Sequence, residues 1–392
     1  MPGSVIVAGA RTPIGKLSGA LASFSAMELG GFAIAAALER ASVAPEDVDY
    51  VFMGHVLQAG QGQITARQAA HNAGIPMTVP ATTVNKVCLS GLNALYLADQ
   101  MIASGDAEVV VAGGMESMTN APYLLPGARA GLRIGDGVVV DSTMLDGLTC
   151  AFDACSMGLA TERYAAGTLT REAQDELAAK SHERAAAAIK EGRFADEIAP
   201  VAVPQRKGDP VLVETDEGVR PGTTVESLGT LKPAFDKQGT ITAGNASQIS
   251  DGAAAVVITS KAKAEELGLS PIAEILSYGQ VAGPDPSLLT QPSRAIRAAL
   301  DKVDIGIGSI DLFELNEAFA AVGLASMADL GIGDDVVNVN GGAIALGHPI
   351  GMSGTRVALT LINELRRRGG GTGAAALCGG GGQGDALLFK TL

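Results

Sequence analysis

Two stretches of this chain read as copies of one another. The first is Ala33-Ile34-Ala35-Ala36-Ala37-Leu38-Glu39-Arg40, followed by Val48-Asp49-Tyr50-Val51-Phe52; the second is Ala295-Ile296-Arg297-Ala298-Ala299-Leu300-Asp301-Lys302, followed by Ile310-Asp311-Leu312-Phe313. Ile34 and Asp49 stand 15 positions apart, as do Ile296 and Asp311, and the offset between copies is 262 residues (296 minus 34). Each copy is a stretch of helical period followed by a short apolar strand, the unit from which α/β folds are built. The same offset carries Cys88 to position 350, inside Gly347-His348-Pro349-Ile350-Gly351. A duplicated fold can build one site between its halves, with a nucleophile from one copy and a base from the other.

Working outward, strands are expected at residues 4–10, 49–52 and 108–112, with helices at 28–41 and 89–104. Ser90-Gly91 opens the second helix, and the third strand ends in Gly113-Gly114. The second copy repeats these events. A strand at 311–314 ends at Asn316, Ser353-Gly354 opens a helix to about 368, and a strand at 374–377 ends in Cys378-Gly379-Gly380-Gly381-Gly382. Continuous apolar runs of this kind suit strands buried on both faces. Residues 119–250 break the pattern, being richer in Pro, Gly and charge, with one long mixed-charge helix at 171–192 that Thr170 caps. The chain therefore divides into a first half at 1–118, completed by 251–268, an inserted loop domain at 119–250, and a second half at 269–392.

Hydrophobic residues make up 47% of the chain but aromatics only 4%, so Ala, Val and Gly must form the core. That composition suits closely packed α/β layers. The net charge of −14 argues against a nucleic-acid surface and against attraction to an anionic membrane. It still allows an anionic ligand in a local basic pocket. The Arg366-Arg367-Arg368 run falls at a helix end, where cations meet the helix dipole favourably. Cys88, Cys150, Cys155 and Cys378 form no CxxC pair, and none of the four histidines has metal-ligand spacing. No metal site is expected, and free thiols fit a reducing compartment. Neither a leader pattern nor an apolar run of membrane-spanning length is present, so a soluble, cytoplasmic protein is expected.

Three motifs carry chemistry. Asn85-Lys86-Val87-Cys88-Leu89-Ser90-Gly91 sets Cys88 at a helix N-terminus, where the dipole and free N–H groups favour thiolate over thiol; otherwise a cysteine here is a buried structural thiol. Asn340-Gly341-Gly342-Ala343-Ile344-Ala345-Leu346-Gly347-His348-Pro349-Ile350-Gly351 sets His348 in a glycine-rich loop before a helix. Cys378-Gly379-Gly380-Gly381-Gly382-Gln383-Gly384 sets a second thiol at a strand end, beside N–H groups able to form an anion-binding nest. No Lys-Ser/Thr follows it, and no GxGxxG follows the first strand, so neither a P-loop nor a Rossmann cofactor site is indicated.

With the Cys88 segment, Asn316-Glu317-Ala318-Phe319, the Gly-Gly-Ala-Ile-Ala-Leu-Gly-His348-Pro loop and the Cys378 run together, the chain resembles the thiolases, close to the acetyl-CoA acetyltransferases, over essentially its whole length. The resemblance implies an α/β thiolase fold: two βαβαβαββ halves in five αβαβα layers, with a loop domain over the site. It also implies a homodimer or homotetramer, and coenzyme A thioesters (acetyl-CoA, acetoacetyl-CoA and CoA) as substrates, with no cofactor. Cys88 would carry the acyl group, His348 would be its base, and Cys378 the second acid/base. Asn316 would hold a water that joins His348 in one oxyanion hole, and the N–H groups of Cys88 and Gly380 would form the other. For coenzyme A the resemblance points to Leu148, Met157, Arg220, Ser227, Phe235, Ala243, Ser247, Ala318 and Phe319.

Two positions depart from the biosynthetic pattern of that family, Ser156 where His is frequent and Leu289 where Met is frequent. Both border the acyl end, so they bear on acyl-chain preference and leave the reaction class alone. A broader-range 3-ketoacyl-CoA thiolase of fatty-acid β-oxidation is the alternative activity. A decarboxylating ketoacyl synthase would pair its Cys with His-His or His-Asn, and the second thiol at Cys378 argues against it. A non-catalytic lipid carrier of similar fold would not be expected to keep Cys88, His348, Cys378 and Asn316 together.

Overall fold

Alternate residues of one strand show how the layers are made. In Val109–Ser117, Val109 and Val111 pack against Ala33, Ile34 and Ala37, whereas Val110 and Ala112 pack against Leu92, Leu95 and Val357. Successive side chains of a strand point to opposite faces, so a run of apolar residues needs a helix layer on each side. The equivalent strand of the second half, Thr372–Gly379, does the same. Ala374 and Ala376 face Ala295, Ile296 and Ala299, while Ala375 and Leu377 face Leu361 and Ile362.

The structure is a computed structural model that describes residues 4–392. Its main sheet runs in the order Leu312–Leu315, Thr372–Gly379, Gln383–Thr391, Ala273–Ala282, Ser4–Arg11, Ser250–Ser260, Val109–Ser117, Tyr50–Gly54, Ala81–Val84. The order is palindromic in kind: parallel strands lie outside, three in the first half and two in the second, and each half has an antiparallel pair inside. The halves join where Val5 pairs Glu274 and Ile6 pairs Ala273. Helix Ala26–Ala41 covers the outer face of the first half and Gln291–Val303 that of the second. Helices Ser90–Ser104 and Ser353–Arg367 lie between the halves, sharing one core with strands of both. This is the five-layer αβαβα arrangement, and the two copied stretches occupy equivalent outer helices.

The two central helices cross at their first turns. A Cβ on Gly354 would come within 2.2 Å of Leu92 N, so only glycine permits the approach. One expected boundary moves. Gly113-Gly114 do not end their strand, which continues to Ser117. A Cβ on Gly114 would lie 1.9 Å from Gly351 O, so this glycine lets the strand pass directly beneath the histidine loop.

Residues 119–250 carry helices Met157–Ala165 and Arg171–Lys190 and several two-stranded ribbons before strand Ser250–Ser260 rejoins the sheet. Thr170 caps the long helix, its side chain accepting from Ala173 N, and the helix stops at Lys190, short of Gly192. Arg11, fully buried, ties this region to the first strand through Asp216 (2.7 and 2.9 Å) and Glu197 (2.7 Å).

Candidate active site

Cys88 stands on a sharp turn between strand Ala81–Val84 and helix Ser90–Ser104. Val87 before it adopts φ 50°, a left-handed conformation that costs a β-branched residue about 1–3 kcal/mol. The turn is held from both sides: Asn85 Oδ1 accepts from Val87 N (3.1 Å), Ser90 Oγ accepts from Lys86 N (2.8 Å) and donates to Val87 O (2.6 Å). Val87 was not legible as a site residue; its left-handed backbone is a property of the folded turn.

The expectation of a thiolate-favouring helix terminus is overturned. Burial pushes the Cys88 thiol up to about 12, although the backbone N–H groups of Cys88 itself and of Gly380 bond its sulfur and pull the other way. The helix contributes less than its dipole suggests, because Leu89 N and Ser90 N are already bonded within the turn, to Lys86 O and Val87 O. Cys378, at the end of its strand and fully buried, is also raised, first by burial and then by the proximity of Cys88. The two thiols are therefore neighbours, brought together from opposite halves, and Gly380 N–H reaches across to Cys88.

His348 is buried, and its basicity falls to about 3 through burial and the charge of Arg356. It rests as neutral imidazole. Its Nδ1 lies 2.6 Å from Ser353 Oγ, and that hydroxyl donates to Pro349 O at 2.9 Å. With the hydroxyl proton so committed, Nδ1 carries the ring proton and donates to Ser353, leaving Nε2 as the unprotonated nitrogen. Asn316 Nδ2 donates to Nε2 at 3.4 Å, and Asn316 Oδ1 is buried with no partner among the described residues. Asn316 follows strand Leu312–Leu315, which runs parallel to the strand bearing Cys378, and Asn316 N donates to Ala376 O at 3.0 Å.

Two buried carboxylates that sequence reasoning passed over hold the loops. Glu317 accepts from Ile344 N (3.1 Å), Asn338 Nδ2 (2.8 Å) and Ser181 Oγ (2.6 Å), fixing the glycine-rich loop ahead of His348. Glu116 accepts from Val56 N, Leu57 N and Gly351 N, fastening the loop that follows strand Tyr50–Gly54 to the loop after His348. Ser353 and Glu116 carry no motif that marks them; Glu317 lies in the quoted Asn316-Glu317-Ala318-Phe319 segment, but its role as an anchor does not show there.

A cavity of about 480 Å³ reaches His348 from the surface. Leu148, Met157, Arg220, Phe235, Ala243, Ser247 and Phe319 all line it, as does Ser156. Ala318 sits behind the wall, its carbonyl accepting from Ser247 N (3.0 Å), and Ser227 lies off the cavity, closing a capping box with Thr224 at the start of helix Val225–Gly229. Lys16 and exposed Arg220 stand among the lining residues, a local basic element on an acidic protein. Leu289 is set back among the apolar residues packed against Met157, Phe319 and Cys378. The arrangement, a cavity that reaches a neutral imidazole, with Cys88 packed against the cluster of its lining residues Met118 and Ile350, suits acyl transfer through sulfur.

The family models described as "Thiolase, N-terminal domain" and "Thiolase, C-terminal domain" match residues 4–262 and 269–391. The chain belongs to the thiolase family. It is 58% identical to the probable acetyl-CoA acetyltransferase of Mycolicibacterium smegmatis, over 98% of this chain and all of that one. It is 54% identical to the acetyl-CoA acetyltransferase of Cupriavidus necator, over 98% of each. The crystal structure of the Bacillus anthracis acetyl-CoA acetyltransferase superimposes with a TM-score of 0.97 at 42% identity, covering 100% of this thiolase and 99% of that chain.

Proposed function

We propose that this thiolase is an acetyl-CoA C-acetyltransferase, joining two acetyl-CoA into acetoacetyl-CoA and CoA and catalysing the reverse thiolysis through an acyl-Cys88 intermediate. The observation that carries the reading is the meeting of Cys88, Cys378 and the Gly380 N–H, with Cys88 packed against the lining of the cavity that His348 reaches. Relatives at this level of identity bear that name, and none of the relatives quoted bears the name of the broader-range alternative.

In the first half-reaction the neutral Cys88 thiol attacks the thioester carbonyl while His348 Nε2 takes its proton. A thiol pushed up and an imidazole pushed down make a neutral resting pair, so proton transfer accompanies attack. The N–H groups of Cys88 and Gly380 meet the oxygen that becomes negative; one such donor is worth ~10²–10³ in rate. His348 then returns the proton to the departing sulfur of CoA. In the second half-reaction His348 Nε2 takes the Cys378 proton, and the thiolate so formed removes a methyl proton from a second acetyl-CoA. The enolate oxygen is met at the His348 Nε2–H so formed and at a water held by Asn316, whose unpartnered Oδ1 is the acceptor such a water would donate to. The enolate carbon attacks acyl-Cys88, and collapse releases acetoacetyl-CoA and the Cys88 sulfur, which takes its proton from His348. Arg220 and Lys16 serve the nucleotide end of CoA, and the apolar walls serve its pantetheine.

Acetyl-CoA alone should acetylate Cys88, read by mass spectrometry of a quenched digest, and Cys378→Ala should keep that label while losing condensation. Label on Cys150 or Cys155 instead, or condensation at wild-type rate in the variant, would sink the reading. The proposal extends to a cytoplasmic role in lipid metabolism and to a homodimer or homotetramer. The exposed Tyr123, Leu125, Leu132, Ile134, Val138 and Val139 offer apolar surface to such an assembly.

A further inference from the structure

The two cysteines that the catalytic cycle does not use are themselves a pair. Thr149–Cys150 and Cys155–Ser156 form a two-stranded antiparallel ribbon in which Cys150 is registered opposite Cys155. Directly opposed residues project to the same face, with Cα atoms about 4.5 or 5.5 Å apart according to the kind of pair. Both values lie within the ~4.4–6.8 Å that a disulfide spans. Four residues, Ala151-Phe152-Asp153-Ala154, join the strands, and Ala154 turns the chain back with φ 49°. Cys150 is buried and Cys155 partly exposed, and both pack in one apolar cluster. Each sulfur has a donor aimed at it: Asp153 N to Cys150 Sγ at 3.3 Å, and the Arg163 guanidinium to Cys155 Sγ at 3.7 Å.

We propose that Cys150 and Cys155 are a redox-active dithiol, which a low-molecular disulfide converts to an intrachain Cys150–Cys155 bond at the edge of the active-site cavity. Cys155, the accessible member with a cation beside its sulfur, attacks one sulfur of the reagent and releases one thiol. Cys150 then attacks Cys155 Sγ in the mixed disulfide and releases the second. Two cysteine thiols and one RSSR become one protein disulfide and two RSH, and the two cysteine protons end on the released thiols. The short loop makes the second step strongly intramolecular. Thiolate is the reactive form of cysteine, the Cys88 and Cys378 thiols are both pushed up, and Cys155 has a guanidinium beside its sulfur, so the ribbon takes the oxidant before the catalytic pair does. The ribbon is already closed, with Met157 N donating to Leu148 O at 2.8 Å across its base. The bond therefore forms without displacing those two cavity residues.

The test treats the intact protein with oxidised glutathione, blocks remaining thiols, and digests with trypsin. No Lys or Arg lies between Arg133 and Arg163, so both cysteines fall in one peptide, 134–163. The expected product is that peptide lighter by two hydrogen atoms and carrying no blocking group. Further cleavage before Asp153 should leave residues 146–152 and 153–163 joined until a reductant is added. Thiolysis kcat/KM should stay within about twofold of the reduced enzyme. Cys155→Ser should keep activity and lose the joined fragments. Blocked thiols at both positions, lasting glutathione on Cys155, a Cys88–Cys378 bond in place of the ribbon bond, or joined fragments persisting in Cys155→Ser would each overturn the proposal.

Discussion

Ser353 illustrates how much one hydroxyl can decide. By accepting from His348 Nδ1 and donating to Pro349 O, it selects the tautomer whose Nε2 can take a proton. Ser353→Ala should lower kcat by about 10²-fold, the size of effect that a misplaced base produces, with KM nearly unchanged and the fold intact; steady-state kinetics of thiolysis check it. The pH response follows from the same residues. His348 falls from its ordinary 6.5 to about 3, so it stays neutral, and able to accept a proton, from neutral pH down to that value. Because the folded state binds this proton more weakly than the unfolded chain, His348 withdraws stability as pH falls below 6.5 and towards 3. No acid limb near 6.5 is expected from His348 in a pH profile of kcat/KM for Cys88 acylation. Cys88, held near 12, should show alkylation by iodoacetamide still accelerating above the ordinary cysteine pKa of about 8.5. A plateau below that pH would point to a stabilised thiolate.

At the scale of elements, the site depends on two helix starts meeting. Gly354→Ala would place a Cβ against Leu92 backbone, and backbone cannot rotate away as a side chain can. We expect a loss of about 1–3 kcal/mol or more in stability, read as a lower midpoint in denaturant, together with lost activity because Cys88 and His348 sit at the ends of these helices. Thr170→Ala is the contrasting case. It removes only the cap of helix Arg171–Lys190, and should cost about 1 kcal/mol while kcat is preserved. The arginine run at the end of Ser353–Arg367 has a specific partner as well as the dipole, since Arg367 and Arg368 both bond Glu364.

For the whole molecule, Arg11 joins the loop region to the first strand. Arg11→Ala would leave Asp216 and Glu197 buried without their cation. Removing one partner of a buried ion pair typically costs ~3–5 kcal/mol, so thermal unfolding should move down markedly. The substrate range is also a property of the whole. Ser156 lines the cavity while capping helix Met157–Ala165, and Leu289 is packed behind the wall with Leu288 and Phe319. The acyl end is thus closed by a continuous apolar cluster, and acetoacetyl-CoA should be preferred over 3-ketooctanoyl-CoA. A higher kcat/KM for the eight-carbon substrate would move the enzyme to the broad-range thiolases.

The α/β class, the duplicated halves and the residues Cys88, His348, Cys378 and Asn316 are legible in the sequence, because period-2 and period-3.6 apolar patterns and glycine-flanked motifs are local. The capped long helix and the equivalent outer helices are legible for the same reason. What the sequence does not contain is the meeting of segments hundreds of residues apart. Val87's left-handed turn, Ser353's choice of tautomer and the anchoring by Glu116 and Glu317 depend on partners that only folding supplies. So does the ionisation of Cys88. A helix terminus read locally argues for thiolate, but the cost of desolvation is set by everything packed around the sulfur, and in the folded protein burial outweighs the donors.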